Sequence, residues 1–194
     1  MPSKILVTGG LGYIGSHTSV ELIQQGHDIV IVDDLSNSSD DVLKGIKNIT
    51  GTAPEFLQFD LRNKEKVFEI FDLHPDIEGI IHFAASKAVG ESVSDPLSYY
   101  ENNLGSLIHL LQVVEKNKKT CSFIFSSSCT VYGQADTLPI GEEAPIKQAA
   151  SPYGNTKQVG ENILKDNTHS NPLLKVISWR YFNPIGSHPS NEIG

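Results

Sequence analysis

Residues 4–15 read Lys-Ile-Leu-Val-Thr-Gly-Gly-Leu-Gly-Tyr-Ile-Gly, a short apolar run followed at once by a glycine-rich turn. The amphipathic stretch that follows predicts a helix. A strand, a glycine turn and a helix in this order predict a pyrophosphate-binding site, because backbone amides at a helix start bind anions. Gly9 permits the tight turn, Gly12 lets the phosphates approach, and Gly15 allows close packing. The alternative is a glycine-rich turn that binds no ligand.

Short apolar runs alternate with amphipathic stretches along the rest of the chain. The candidate strands are Ile5–Thr8, Ile29–Asp33, Glu55–Phe59, Gly79–Phe83, Cys121–Ser126 and Leu174–Tyr181. The candidate helices lie near 14–25, 39–49, 63–73, 98–117 and 152–168. This alternation predicts an α/β fold with parallel strands and crossover helices on both faces. We therefore expect a doubly wound, Rossmann-type sheet of about six strands.

Two connections, Ala84–Asp95 and Ser127–Ser151, are long for this kind of fold. Both follow the carboxyl ends of predicted strands, where open α/β sheets bind their ligands. We therefore expect both connections to contribute to a cleft.

Acidic residues follow the second and third predicted strands. A carboxylate at Asp33 can accept hydrogen bonds from the adenosine ribose and would repel a 2′-phosphate, which favours NAD over NADP. Asp33 and Asp34 could alternatively be ordinary surface turn residues. Asp60 and Leu61 lie where an adenine edge is expected, although Asp60 could equally cap the helix that begins near Asn63.

Tyr153 and Lys157 lie four residues apart on a predicted helix, so they share one face. A nearby ammonium lowers the pKa of a phenol from its usual value of about 10, which would let the tyrosine act as a general base. Ser128, after the fifth strand, would bring a hydroxyl to the same cleft. Gly154 and Gly160 each cost the helix about 1 kcal/mol relative to alanine, which indicates a close neighbour. The alternative is an ordinary exposed tyrosine and lysine.

Segments along essentially the whole chain resemble the extended short-chain dehydrogenase/reductase family, and within it the sugar-nucleotide 4-epimerases. The segments that carry the resemblance are Val7–His17, Val32–Ser38, His82–Ser92, Tyr100–Asn103, Phe125–Gly133, Ser151–Lys157 and Arg180–Pro184. The resemblance implies an isomerase with tightly bound NAD. Its implied reaction is the interconversion of UDP-glucose and UDP-galactose by reversible oxidation at C4.

The resemblance also implies a role for individual residues. Tyr153 would remove the 4′-hydroxyl proton, Ser128 would hold that oxygen, and Lys157 would bond the nicotinamide ribose. The implied substrate contacts are Lys87, Ser128, Tyr153 and Asn183. The implied cofactor contacts are Gly9, Gly12, Tyr13, Ile14, Gly15, Asp33, Asp34, Leu35, Ser36, Asn37, Ser38, Asp60, Leu61, Phe83, Ala84, Ala85, Lys87, Asn102, Ser126, Tyr153, Lys157 and Phe182.

Two positions bear on the choice between related activities. Related dehydratases carry an Asp-Glu pair, and decarboxylases keep a glutamate, where this chain has Cys129 and Thr130. Ser86 stands where the commonest epimerase form has leucine, a departure that we do not expect to change the chemistry. Another NAD-dependent UDP-sugar enzyme of the family and a non-catalytic NAD-binding module are the alternatives.

Composition argues against several other classes of protein. The net charge of −8 is unsuited to nucleic acid or an anionic membrane surface, and the apolar runs are too short to cross a bilayer. The seven histidines form no pair at ligand spacing, and Cys121 and Cys129 lack a metal-type spacing, so we expect no metal. Without a secretory signal pattern, we expect a cytoplasmic protein with reduced thiols.

The resemblance implies partners and a division into domains. We expect a UDP-sugar partner and a homodimer formed through the helices near 98–117 and 152–168. Residues 1–184 are expected to form the NAD-binding domain with the catalytic residues. Residues 185–194 are polar and are expected to begin a substrate-binding region that is otherwise missing, so that activity would be weak or absent.

Overall fold

The computed structural model describes residues 2–193 of the chain. Its strands are β1 (Lys4–Thr8), β2 (Asp28–Asp33), β3 (Glu55–Gln58), β4 (Ile77–His82), β5 (Cys121–Ser128) and β6 (Leu174–Tyr181). They form one sheet in the order β3-β2-β1-β4-β5-β6, and every neighbouring pair is parallel. The predicted Rossmann-type sheet of about six strands is therefore confirmed.

The helices lie between the strands in sequence. They are α1 (Tyr13–Gln24), α2 (Asp41–Thr50), α3 (Lys64–Leu73), α4 (Val89–Ser94), α5 (Pro96–Asn117) and α6 (Pro152–Ser170), with a short 3₁₀ turn over Cys129–Tyr132. Helix α4 occupies part of a connection that the sequence pattern treats as a loop. The side chain of Asn63 caps α3 by accepting a hydrogen bond from the Lys66 amide, so the alternative reading of Asp60 as that cap is wrong.

Apolar side chains fill both sides of the sheet. Leu6 and Val7 are adjacent on β1, both are fully buried, and they belong to different apolar clusters. This follows from the strand geometry, which sends successive side chains to opposite faces. The larger cluster includes residues of α3, α5 and α6, and the smaller one includes residues of α1 and α2.

Helix α6 approaches the sheet through its glycines. A Cβ added at Gly160 would lie 2.8 Å from the ring of Phe125 on β5, and one at Gly154 would lie 3.3 Å from Thr130. The close neighbours that the two glycines predict are therefore β5 and the 3₁₀ turn that follows it. This packing sets the distance between α6 and the end of β5.

Strand β6 forms one edge of the sheet. Its alternate apolar side chains, Ile177 and Trp179, are 54% and 46% exposed. Trp179 is the only tryptophan of the chain, and its ring meets that of Tyr181 edge to face with the centroids 6.2 Å apart.

The segment that follows β6 returns across the molecule towards α1 and α2. The hydroxyl of Tyr13 donates a hydrogen bond of 2.7 Å to the carbonyl oxygen of Gly186. Ile193 is buried in the smaller apolar cluster. A side chain at Gly45 would overlap the backbone of Glu192. The last described residues are therefore packed on α2.

Candidate active site

A cleft of about 930 Å³ lies at the carboxyl ends of the strands, where the strand order reverses between β1 and β4. Open parallel sheets bind their ligands at this point. Of the predicted site residues, those that line the cleft are Gly9, Gly12, Tyr13, Ile14, Gly15, Asp33, Asp34, Ser36, Asn37, Ser38, Asp60, Leu61, Phe83, Ala84, Ala85, Lys87, Asn102, Ser126, Ser128, Tyr153, Lys157, Phe182 and Asn183. Leu35 is the exception, because its side chain packs against the smaller apolar cluster instead.

Several other residues of the cleft wall were not among the predicted site residues. They are Val32, Phe59, Ser86, Ala88, Val89, Glu91, Ser106, Ser127, Cys129, Thr130, Tyr181 and Pro184. Most of them are adjacent in sequence to a predicted site residue, and this adjacency is the signal by which they could have been found. Glu91 lies within a segment that carries the family resemblance, whereas Ser106 lies outside every such segment.

The glycine turn is shaped by contacts that side chains would obstruct. Gly9 has a φ of +65°, and its amide donates to the carbonyl oxygen of Val32 over 2.8 Å. A Cβ at Gly15 would overlap the carbonyl oxygen of Gly9, whereas one at Gly12 would be 3.4 Å from its nearest neighbour. Helix α1 begins at this turn without a side-chain cap. Its first amides are therefore available to an anion.

Asp33 joins the glycine turn to the loop after β2. Its Oδ2 accepts a hydrogen bond of 3.1 Å from the Leu11 amide. Its Oδ1 accepts hydrogen bonds from the Leu35 amide at 3.0 Å and the Ser38 hydroxyl at 2.8 Å. The carboxylate thus organises both sides of this end of the cleft, a structural role that the sequence did not indicate.

Asp60 is paired with Arg62 at the same end of the cleft. The guanidinium donates to Oδ2 of Asp60 from Nε at 2.8 Å and from Nη2 at 2.5 Å. These hydrogen bonds hold the pKa of Asp60 below its usual value. Asp60 is therefore a charged acceptor in the cleft wall at neutral pH.

The three predicted catalytic residues meet at the other end of the cleft, with Ser128 ending β5 and the others in the first turns of α6. Ser151 caps this helix by accepting a hydrogen bond of 3.1 Å from the Gly154 amide. The ammonium of Lys157 donates to the carbonyl oxygen of Ser126 over 2.8 Å and lies 5.8 Å from the ring centroid of Tyr153. Burial lowers the pKa of Lys157 to about 8.

The pKa of the Tyr153 phenol differs from the expectation. Burial raises its pKa, and the neighbouring Ser128 hydroxyl opposes that rise. Desolvation of the phenol is the largest effect, so the predicted lowering of its pKa is wrong for this structure.

A carboxylate on α6 ties the end of β5 to β6. Glu161 accepts two hydrogen bonds from Arg180, at 2.9 and 2.7 Å, and one of 2.5 Å from the Ser127 hydroxyl. Arg180 also donates to the Tyr132 hydroxyl over 3.0 Å. Because Glu161 is four residues beyond Lys157, it continues the same helix face. This network, which the sequence did not predict, braces the strand that ends in Ser128.

The connection after β4 is held by asparagines of α5. Asn103 accepts a hydrogen bond of 2.8 Å from the Ser86 amide and donates to the Ser86 carbonyl oxygen and the Thr156 hydroxyl. The Ser86 hydroxyl accepts a further hydrogen bond of 3.0 Å from the side-chain amide of Asn102. A leucine at position 86 could not accept this bond, so the departure from the commonest form has a local role.

His82 lies beneath the catalytic end of the cleft. It is 2% exposed, its Nδ1 is 2.7 Å from the Thr8 hydroxyl, and its ring stacks on that of Phe125. Burial, with a smaller contribution from the charge of Lys157, lowers its pKa to about 3. The ring is therefore neutral at physiological pH.

Within residues 2–193, no three histidine, cysteine, aspartate or glutamate side chains are grouped so that they could hold a metal ion. None of the helices described is both long and apolar enough to cross a membrane.

The fold and the cleft define a Rossmann-type α/β domain that presents a serine, a tyrosine and a lysine at its ligand site. The chain belongs to the NAD dependent epimerase/dehydratase family, whose model matches residues 5–193. It is 49% identical over 191 residues to UDP-glucose 4-epimerase of Dictyostelium discoideum and 50% identical over 192 residues to that of Bacillus subtilis. Each match covers 98% of this chain and 55% of the relative, so the chain spans about half the length of these relatives.

The chain is also similar to solved structures of UDP-glucose 4-epimerases, again over about half of their length. The UDP-glucose 4-epimerase of Bifidobacterium longum in complex with NAD⁺ and UDP matches with a TM-score of 0.95 and 42% identity, over 99% of this chain and 57% of that one. The enzyme of Stenotrophomonas maltophila, with bound NAD and formylated UDP-arabinopyranose, matches with a TM-score of 0.93 and 46% identity, over 99% of this chain and 56% of that one.

Proposed function

We propose that the chain carries the cofactor site and the catalytic residues of a UDP-hexose 4-epimerase, an isomerase that interconverts UDP-glucose and UDP-galactose. The observation that carries this proposal is the meeting of Ser128, Tyr153 and Lys157 in one cleft with the glycine turn. The similarity to UDP-glucose 4-epimerases supports it. Because the chain spans about half of their length, we expect it alone to be weakly active or inactive.

The residues of the cleft fit NAD as the cofactor. The uncapped start of α1 at Gly12 offers amides to a pyrophosphate. Oδ2 of Asp33 accepts one hydrogen bond within the chain and keeps a lone pair for a ribose hydroxyl. Asp34 adds a second carboxylate that would repel the 2′-phosphate of NADP. Bound NAD would supply the acceptor, and then the donor, of a hydride. The other predicted cofactor residues, Leu35 excepted, are proposed contacts because they line the same cleft.

At the sugar end, Tyr153 would take the proton of the 4′-hydroxyl as hydride leaves C4 and the C4–O bond becomes a carbonyl. Ser128 would hydrogen-bond to that oxygen. Return of hydride to the opposite face of C4, with the proton from Tyr153, would give the epimer. Lys157 brings a positive charge near the phenol when it is protonated, and Lys87 and Asn183 are proposed contacts of the nucleotide diphosphate.

A direct test is to incubate the protein with NAD and UDP-galactose and identify the product by NMR. Both the chain itself and a fusion of it to the remaining half of the B. subtilis relative should be assayed. We expect UDP-glucose from the fusion. Tyr153→Phe should abolish this product, whereas Tyr100→Phe, a phenol outside the cleft that is bonded to Asn155, should not.

Other outcomes would replace the proposal. A 4-keto-6-deoxy sugar would identify a dehydratase, and a different UDP-sugar product another activity of the family. NAD retained by both proteins without any turnover would favour a non-catalytic NAD-binding module.

We further propose a substrate-binding region that begins at residue 185, a homodimer through α5 and α6, and a cytoplasmic location. The exposure of Leu97 and Ile108 on α5 supports a contact between copies. The unpaired thiols of Cys121 and Cys129 support a reducing compartment.

A further inference from the structure

Thr130 makes two hydrogen bonds to the hydroxyl of Ser128. The Thr130 amide donates to Oγ of Ser128 over 3.2 Å, and the Thr130 hydroxyl donates to the same atom over 3.0 Å. A serine hydroxyl has two acceptor lone pairs and one hydrogen to donate. Because Thr130 occupies both lone pairs, the Ser128 hydrogen remains for another oxygen.

The two bonds have different origins. The bond from the backbone amide belongs to the 3₁₀ turn, whose N-cap is Ser128, and any residue except proline could form it at position 130. The hydroxyl bond requires the side chain of Thr130. The hydrogen bond from the hydroxyl therefore depends on having a threonine or another hydroxyl residue at position 130.

Packing keeps the Thr130 side chain in place. Its Cβ would be 3.3 Å from a Cβ added at Gly154, which is the residue after Tyr153, so α6 packs directly on it. The next residue, Val131, is fully buried, and its carbonyl oxygen accepts a hydrogen bond of 2.8 Å from Gln158. A β-branched side chain in such a position has few rotamers available.

We propose that Thr130 is a positioning residue that makes Ser128 a hydrogen-bond donor towards the oxygen on the reacting sugar carbon. This inference rests on the proposed function, since it requires a substrate oxygen beside Ser128. That oxygen gains negative charge as its proton moves to Tyr153, and a donor already aimed at it stabilises this charge without reorganisation. Without the Thr130 hydroxyl, Ser128 regains a free lone pair and can accept from the sugar hydroxyl instead.

Two variants separate the hydroxyl from the shape of the side chain. Thr130→Val keeps the branched shape and removes the hydroxyl, whereas Thr130→Ser keeps the hydroxyl. Each should be made in the wild-type fusion protein and in a Ser128→Ala background, and kcat and KM for UDP-galactose measured. We expect Thr130→Val to lower kcat about tenfold with KM changed less than about twofold, and Thr130→Ser to stay within about threefold of wild type.

The Ser128→Ala background isolates the route of the effect. If Thr130 acts only through Ser128, Thr130→Val should lower kcat by less than about twofold there, because interacting residues are non-additive. A loss that persists in that background, or an equal loss in Thr130→Ser, would show a merely structural role and overturn the proposal. An inactive wild-type fusion would instead contradict the proposed function.

A second readout needs neither cofactor nor turnover. The Tyr153 phenol can be titrated by NMR in protein with ¹³C-labelled tyrosine, with the signal assigned through Tyr153→Phe. The Ser128 hydroxyl opposes the rise in the phenol pKa, so Thr130→Val should move the titration to higher pH and Thr130→Ser should not. The other titratable neighbours are Lys157, Cys129 and Tyr99, and neither variant changes them. An unchanged titration in Thr130→Val would overturn the proposal.

Discussion

Replacing His82 by glutamine should remove most of the acid sensitivity of the fold between about pH 7.5 and about pH 5. In the folded protein, burial lowers the pKa of His82 from 6.5 to about 3. The unfolded chain therefore binds a proton first as the pH falls through 6.5. The stability that His82 contributes is fully present above this pH, declines below it, and stops declining near the folded pKa.

The size of the effect follows from the same shift. One pH unit below the unfolded pKa corresponds to about 1.4 kcal/mol, so about 2 kcal/mol should be lost at about pH 5. Few other shifted groups act in this window. Burial lowers the pKa of Lys157 only to about 8, and the pKa values of Asp60 and Asp76 are lowered from 3.8. The comparison of wild type with His82→Gln at the two pH values isolates the contribution of His82.

Urea unfolding at both pH values gives the measurement. Wild type should lose about 2 kcal/mol more on acidification than His82→Gln does, even if the variant is less stable at both. His169→Gln is the matched control, because that imidazole is exposed on α6. An equal pH dependence in wild type and His82→Gln would refute the reasoning, since it would mean that the buried ring does not resist protonation.

Two further substitutions test the packing of α6, each by the free energy of unfolding. Gly160→Ala places a Cβ 2.8 Å from an aromatic ring and should cost about 1–3 kcal/mol, whereas Gly105→Ala on α5 meets no atom within 4 Å and should stabilise by up to about 1 kcal/mol. Equal effects would contradict this account. Glu161→Gln leaves Arg180 without its carboxylate in a site that is 13–24% exposed and should cost about 2 kcal/mol, while the exposed Asp41→Asn should cost nothing measurable.

Much of the fold could be predicted because its strands are apolar runs bounded by turns. The bounds of β6 agree with the prediction, and those of β1 differ by one residue. Strand β5 extends two residues further than predicted because Ser127 and Ser128 pair with Arg180 and Tyr181 on β6, and a pairing of polar residues leaves no apolar signal. Helix α4 is six residues long, too short for an apolar period to be recognised.

Less of the site could be predicted, because a motif indicates which residues belong to a site but not which residues they contact. Nearly all the site residues that were predicted from motifs line one cleft. The sequence did not indicate that the Asp33 carboxylate accepts three hydrogen bonds from its own chain. It also did not indicate that Glu161 accepts a hydrogen bond from Ser127. Such bonds join residues distant in sequence. The direction of the pKa shift of Tyr153 was predicted wrongly, because desolvation depends on burial, which the spacing of residues in the sequence does not indicate.

The position of Trp179 gives the protein a spectroscopic probe of its own. Its indole meets Tyr181, a residue of the cleft wall, and lies half-exposed on the open edge of the sheet. Because the chain contains no other tryptophan, every change in indole emission comes from this one position. Fluorescence of the unlabelled protein can therefore follow both the coverage of the β6 edge and the filling of the neighbouring cleft in real time.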